Sequence, residues 1–86
     1  MPVARFVVRG RVQGVGFRAY VEQQAQLHGW NGEVWNRRDG GVELIVDAPE
    51  LSTVEEILRA GPGWVEDVTQ DEARSTVIGF HVGPTR

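Results

Sequence analysis

Hydrophobic and polar residues alternate at the start of the chain. Over residues 3–12, "VARFVVRGRV", Phe6, Val8 and Val12 share one face and Arg5, Arg9 and Arg11 share the other, the period-two pattern of a half-buried strand. The period then lengthens. Phe17, Val21 and Ala25 recur every fourth residue, with Tyr20 and Leu27 alongside, which predicts a helix from about Phe17 to Leu27 that Gly29 stops. "GEVWN" (32–36) and "GGVELIVDA" (40–48) read as two strands, with Val42, Leu44 and Val46 on one face. "RRDG" between them predicts a hairpin turn signalled by Asp39-Gly40. Pro49 ends the second of these strands. Ser52 and Glu55 have the spacing of a capping box, and Val54, Ile57 and Leu58 form the apolar stripe of a second helix, ended by Gly61-Pro62. "GWVEDVTQDEA" (63–73) predicts an irregular strand. "VIGFHV" (77–82) predicts a last short one, with Ile78, Phe80 and Val82 in phase.

The order is therefore β-α-β-β-α-β with a short extra C-terminal strand. An antiparallel sheet with two helices on one face, the ferredoxin-like α+β sandwich, satisfies that order. The uncovered face is then free to carry polar side chains such as Arg5 and Arg9. With no linker, tandem repeat or low-complexity run, residues 1–86 are expected to form a single domain.

Composition narrows the function. There is no cysteine, which excludes disulfides, thiol nucleophiles and thiolate metal sites. The opening "MPVARFVVRG" lacks the apolar run of a leader peptide, and no stretch is long enough to span a membrane, so a soluble cytoplasmic protein is the default expectation. A net charge of −3 argues against broad nucleic-acid binding. The charge is unevenly spread: six arginines face two acids in residues 1–38, and three face ten in residues 39–86. Every basic residue of the Lys/Arg pair is Arg, which suits bidentate phosphate recognition, although arginine-biased codon usage accounts for the missing lysines at least as well.

The usual catalytic side chains are scarce. His28 sits at the end of the first helix, where a cation complements the dipole, and His81 points away from the face of Phe80 and Val82. Neither has an acid at metal-ligand spacing, so both read as structural or solvated. Ser52 is a cap candidate and Ser75 lies in a turn-like stretch; no nucleophile elbow exists. Trp30, Trp35 and Trp64 are dispersed and read as packing or strand-face residues. What remains is "GRVQGVGFR" (10–18). A strand ends at Val12, a loop turns through Gln13-Gly14-Val15-Gly16, and a helix begins near Phe17 or Arg18. The first amides of a helix lack internal partners, glycines let neighbouring N–H groups converge on an anion, and Arg18 adds a planar cation. On spacing alone this is equally a phosphate cradle or an ordinary strand-to-helix turn.

"GRVQGVGFR" resembles the acylphosphatase signature, a strand ending in G-x-V-Q-G-V-x-F-R. "GEVWN" (32–36) is similar to that family's G-x-V-x-N strand, "DGGVELIVDAPE" to its third strand and turn, and "GFHV" (79–82) to its closing segment. The resemblance covers nearly the whole chain. It implies hydrolysis of a small acyl phosphate to a carboxylate and inorganic phosphate, without cofactor or metal. The backbone amides of Gln13, Gly14, Val15, Gly16, Phe17 and Arg18 would cradle the phosphoryl oxygens. Arg18 would hold that group and balance its charge, and Asn36 would hold the attacking water. The implied partners are a small-molecule substrate and phosphate product, with no nucleic acid or membrane, and the protein is expected to be a monomer.

The chemistry agrees with the sparse inventory. A carboxylate is a weakly basic leaving group, so no strong general acid is needed, and phosphoryl transfer depends mainly on positioning and charge stabilisation. Asn36 is in phase with Val34 and so is expected on the helix-covered face; taken alone it also reads as a polar residue closing a strand before a turn. Three positions depart from the family pattern. Glu33 stands where Trp often follows the glycine, Arg37 where Thr often follows the asparagine, and Ala48 where a turn glycine often precedes the proline. Arg37 either aids anionic substrates or sits in solvent. Two other function classes fit the element order: a non-catalytic anion-binding module, and an RNA-binding sheet. The second needs stacking aromatics on its central strands, and "GVELIVDA" has none.

Overall fold

The computed structural model describes residues 2–74 and 76–86; Ser75, expected in a turn, lies outside them. The elements run β1 (Val3–Arg11), α1 (Phe17–His28), β2 (Asn31–Asn36), β3 (Val42–Asp47), α2 (Leu51–Arg59), β4 (Trp64–Glu72) and β5 (Phe80–Val82). The five strands form one sheet in the order β4-β1-β3-β2-β5. β1 pairs antiparallel with both β3 and β4, and β2 antiparallel with β3. β5 joins β2 in parallel, so the sheet is mixed at that edge.

Alternation decides the two faces. Ala4, Phe6 and Val8 of β1 are buried with Val42, Leu44 and Val46 of β3 and Val34 of β2. They meet Phe17, Val21 and Ala25 of α1 and Val54 and Leu58 of α2 in one core. Each fully buried Val, Leu or Phe contributes about 1.5–3 kcal/mol relative to exposure. α1 and α2 are joined by the Tyr20 hydroxyl, which donates to the Ile57 carbonyl at 2.7 Å. Gly29 ends α1 in the left-handed region at φ 71°, as its position after the last apolar turn predicts.

The opposite face carries charge. Glu43 of β3 is buried between Arg5 (3.2 Å) and Arg37 (2.6 Å), and Asp39 binds Arg37 (2.9 Å) and Arg9 (3.3 Å). Arg5 and Arg9 thus lie on the uncovered face, as the alternation predicts.

Three local expectations fail. Leu27 is 72% exposed. It lies on the Tyr20 side of α1, but about 10 Å further along the axis than the Tyr20–Ile57 contact. The capping box does not form: α2 begins at Leu51, which packs on the core, and Glu50 occupies the cap position without a side-chain bond. This places Ser52 inside the helix. The last strand covers only Phe80–Val82, and Ile78 is 90% exposed. Gly79 turns the chain at φ 78°, and its N–H donates to the Asn31 side chain at 2.8 Å while its carbonyl accepts from Gly32 at 2.8 Å. Those bonds fix where the parallel pairing starts. No helix among the described residues is long and apolar enough to cross a membrane.

Candidate active site

β1 ends at Arg11, and buried Val12 anchors the chain before it leaves the sheet. Gly14 (φ 74°) and Gly16 (φ 82°) are both left-handed, a conformation that costs a residue with a Cβ about 1–2 kcal/mol. The two glycines turn the chain through Val15 and deliver it to α1, whose first residue, Phe17, is buried. Gly16 caps α1 without a side-chain bond. Residues 13–16 form a turn, yet none of the main-chain N–H groups from Gln13 to Arg18 makes a close, well-aligned hydrogen bond to another described residue. The turn therefore presents amides without a close internal partner at the positive end of a helix dipole.

A cleft of about 400 Å³ opens here, lined by Val12, Gly14, Gly16, Phe17, Arg18, Ala19, Glu22, Asn36 and Val82. Arg18 projects into it from the first turn of α1. Its Nη1 donates to the Gly83 carbonyl at 3.1 Å, and it has no ion-pair partner among the described residues. A neutral oxygen, rather than a carboxylate, holds the guanidinium in place. Asn36 enters from the last position of β2, opposite Val42 and in phase with buried Val34. Its backbone carbonyl accepts from Arg86 at 2.9 Å, and its side chain bonds no described residue. The structure thus brings Gly14, Gly16, Phe17 and Arg18 of the 13–18 segment together with Asn36 from a later strand, while Gln13 and Val15 do not line this cleft.

Sequence reasoning passed over three contributors. The Gln13 side-chain amide donates to the carbonyls of Arg37 (2.7 Å) and Gly41 (2.8 Å), which ties the loop to the β2–β3 turn beside Asn36. Glu22 lines the cleft one turn beyond Arg18, a placement visible in the four-residue spacing of the two. Gly83 supplies its carbonyl to Arg18 from the segment after β5, and no local pattern signals that.

Arg37 is turned away from the cleft. It is bound by Asp39 and Glu43 on the open sheet face, and those bonds raise its pKa above the ordinary guanidinium value. The same Arg37 contact, with the Gly41 N–H, holds the Asp39 carboxyl well below the usual carboxylate range. His28 ends α1 and stacks on Trp30 with ring centroids 5.3 Å apart, and His81 contacts the Ile78 carbonyl at 3.0 Å. Among the described residues no group of three or more His, Cys, Asp or Glu side chains is placed to hold a metal ion.

Comparison with known proteins bears on the same residues. The family model described as Acylphosphatase matches residues 4–81. An acylphosphatase of Moorella thermoacetica is 50% identical over 66 residues, covering 73% of this chain and 70% of its own length. The crystal structure of acylphosphatase from Bacillus subtilis superposes with a TM-score of 0.90 at 37% identity, covering 96% of this chain and 99% of that one. The crystal structure of HypF from T. kodakarensis shares the fold over 99% of this chain but only 12% of its own, with a TM-score of 0.76 and 27% identity. A matched span that runs from β1 through the cradle loop and Asn36 to β5, together with the shared fold, leaves one assignment: the chain belongs to the acylphosphatase family.

Proposed function

We propose that the protein is an acylphosphatase that hydrolyses the carboxyl–phosphate bond of small acyl phosphates without a metal ion. One observation carries the reading: amides without a close internal partner, a guanidinium with no ion pair among the described residues and the Asn36 carboxamide line one cleft. In this mechanism the amides of Gln13 through Arg18 and the Arg18 guanidinium bind the phosphoryl oxygens. They stabilise the negative charge those oxygens carry in the transition state. Asn36 holds a water in line with the bond to be broken. The water oxygen attacks phosphorus, and the phosphorus–oxygen bond to the acyl group breaks. The electron pair leaves on the carboxylate, and the water proton passes to phosphate or solvent. Because the leaving carboxylate is a weak base, aiming the water and neutralising charge suffice. The reading keeps the cytoplasmic, monomeric state expected from the sequence.

Turnover of benzoyl phosphate in the presence of a chelator tests it. Arg18→Ala is expected to lower kcat/KM by about a thousandfold or more, since it removes both a charge and a bidentate donor. Asn36→Ala is expected to lower kcat by about a hundredfold or more while inhibition by inorganic phosphate stays near the original value. Full activity in both variants defeats the mechanism. The likeness to a small part of HypF favours a second reading, a non-catalytic anion-binding module, which phosphate binding without turnover would select.

A further inference from the structure

A second groove of about 540 Å³ lies on the other side of the cradle loop, lined by Arg11, Val15, Gly63, Trp64 and Glu66. Its walls are mainly apolar, and Trp64 is 67% exposed on them. The groove and the cleft flank the loop: Val15 walls the groove, while its neighbours Gly14 and Gly16 line the cleft. Gly63 packs closely against the loop on the groove side. It is left-handed at φ 82°, and a Cβ on it would strike the Arg11 carbonyl and come within 2.9 Å of Val15 Cγ2.

Sheet order fixes which way the groove faces. Asn36 belongs to β2 and Trp64 to β4, and these strands lie on opposite sides of β1, from which the loop springs. In an in-line displacement the attacking and leaving oxygens lie on opposite sides of phosphorus. Water held at Asn36 therefore directs the leaving acyl group towards β4. We propose that the groove between Val15 and Trp64 is the acyl subsite and that it selects acyl phosphates with an aromatic acyl group, which stacks on the Trp64 indole. The inference rests on the proposed acylphosphatase reading for the direction of the leaving group.

Two non-hydrolysable isosteres test it by calorimetry without needing turnover: phenacylphosphonate, with an aromatic acyl group, and acetonylphosphonate, with a methyl in its place. Wild type is expected to bind the first about five- to tenfold more tightly, the range an aromatic contact supplies. Trp64→Ala is expected to bring that ratio close to one, and Trp64→Phe to restore most of it. Equal affinities in wild type, or a preference that survives Trp64→Ala, overturn the subsite, and so does failure to bind either phosphonate. If the preference is present and depends on Trp64 but benzoyl phosphate is not hydrolysed, the subsite stands and the proposed activity falls. If benzoyl phosphate is hydrolysed and the preference is missing, only the subsite falls.

Discussion

Gln13 does two unlike things from one position. Its main-chain N–H is one of the loop amides without a close internal partner, while its side chain bridges to the carbonyls of Arg37 and Gly41. Those carbonyls are not orphaned without it. Gly41 also accepts from the Arg37 N–H at 2.8 Å, and Arg37 from the Gly40 N–H at 3.3 Å. Removing the side chain therefore leaves no buried acceptor wholly unsatisfied, and the stability loss in Gln13→Ala is expected to be only about 1 kcal/mol. Activity should fall further, by about tenfold or more in kcat/KM, because the loop loses its tie to the strand that carries Asn36 and small misplacements of reacting groups are expensive. Denaturant melts alongside kinetics check this; a stability loss with unchanged kcat/KM would make the clamp structural only. The Gln in "GRVQGVGFR" is visible in the sequence, but its side-chain partners are 24 and 28 residues away and no local pattern names them.

Among the elements, the β2–β3 hairpin shows where sequence reasoning holds and where it stops. Alternation places Val34, Val42, Leu44 and Val46 on the covered face, and all four are buried. Asn36 follows from the same phase. The period of each element is a local property, so it survives folding wherever both neighbours supply a core. It fails for Leu27, where the apolar stripe outruns the contact beside it, and for Ile78, where a left-handed Gly79 interrupts the strand. The groove beside Trp64 depends on the β1–β4 pairing and on Gly63, which are long-range facts. The hairpin turn also carries a pH dependence. Asp39 accepts from Arg37, Arg9 and the Gly41 N–H, and its pKa is lowered, first by the Arg37 bond and then by that amide. A carboxyl with a depressed folded pKa contributes stability that is fully present above its ordinary pKa, about 3.9, and is lost as the pH falls below it. Asp39→Asn is thus expected to melt below wild type at pH 7. The gap should narrow as both are taken towards pH 3. A gap that is constant across that range would show that Asp39 acts through its shape and amide contact rather than its charge.

At the scale of the whole molecule, residues 83–86 run along β2 beside the cleft. The Gly83 N–H donates to the Val34 carbonyl at 2.8 Å, the Arg86 N–H to the Asn36 carbonyl at 2.9 Å, and the Arg38 N–H to the Arg86 carbonyl at 3.1 Å. The Arg86 guanidinium meets Glu33 at 2.6 Å and lies 4.4 Å from the centre of the Trp35 ring. The segment thus continues the edge begun by β5 and carries the Gly83 carbonyl to Arg18. Glu33, one of the three positions where this chain departs from the family pattern, receives Arg86 together with Trp35. The two ends of the segment have separable tasks. Arg86 anchors through an exposed ion pair and a cation–π contact, together worth about 1 kcal/mol. Gly83 is held by its own bond to Val34 and orients the arginine of the cradle. Arg86→Ala is therefore expected to lower Tm by about 4–8 °C, the shift that 1 kcal/mol produces in a domain of this size, and to change kcat/KM by no more than about threefold. Deleting residues 83–86 removes the carbonyl as well, and is expected to weaken inhibition by inorganic phosphate by about tenfold as Arg18 loses its fixed direction. Thermal melts and phosphate inhibition of both variants separate the two tasks. If the deletion behaves like Arg86→Ala, then Arg18 keeps its direction from α1 alone and the segment serves only stability.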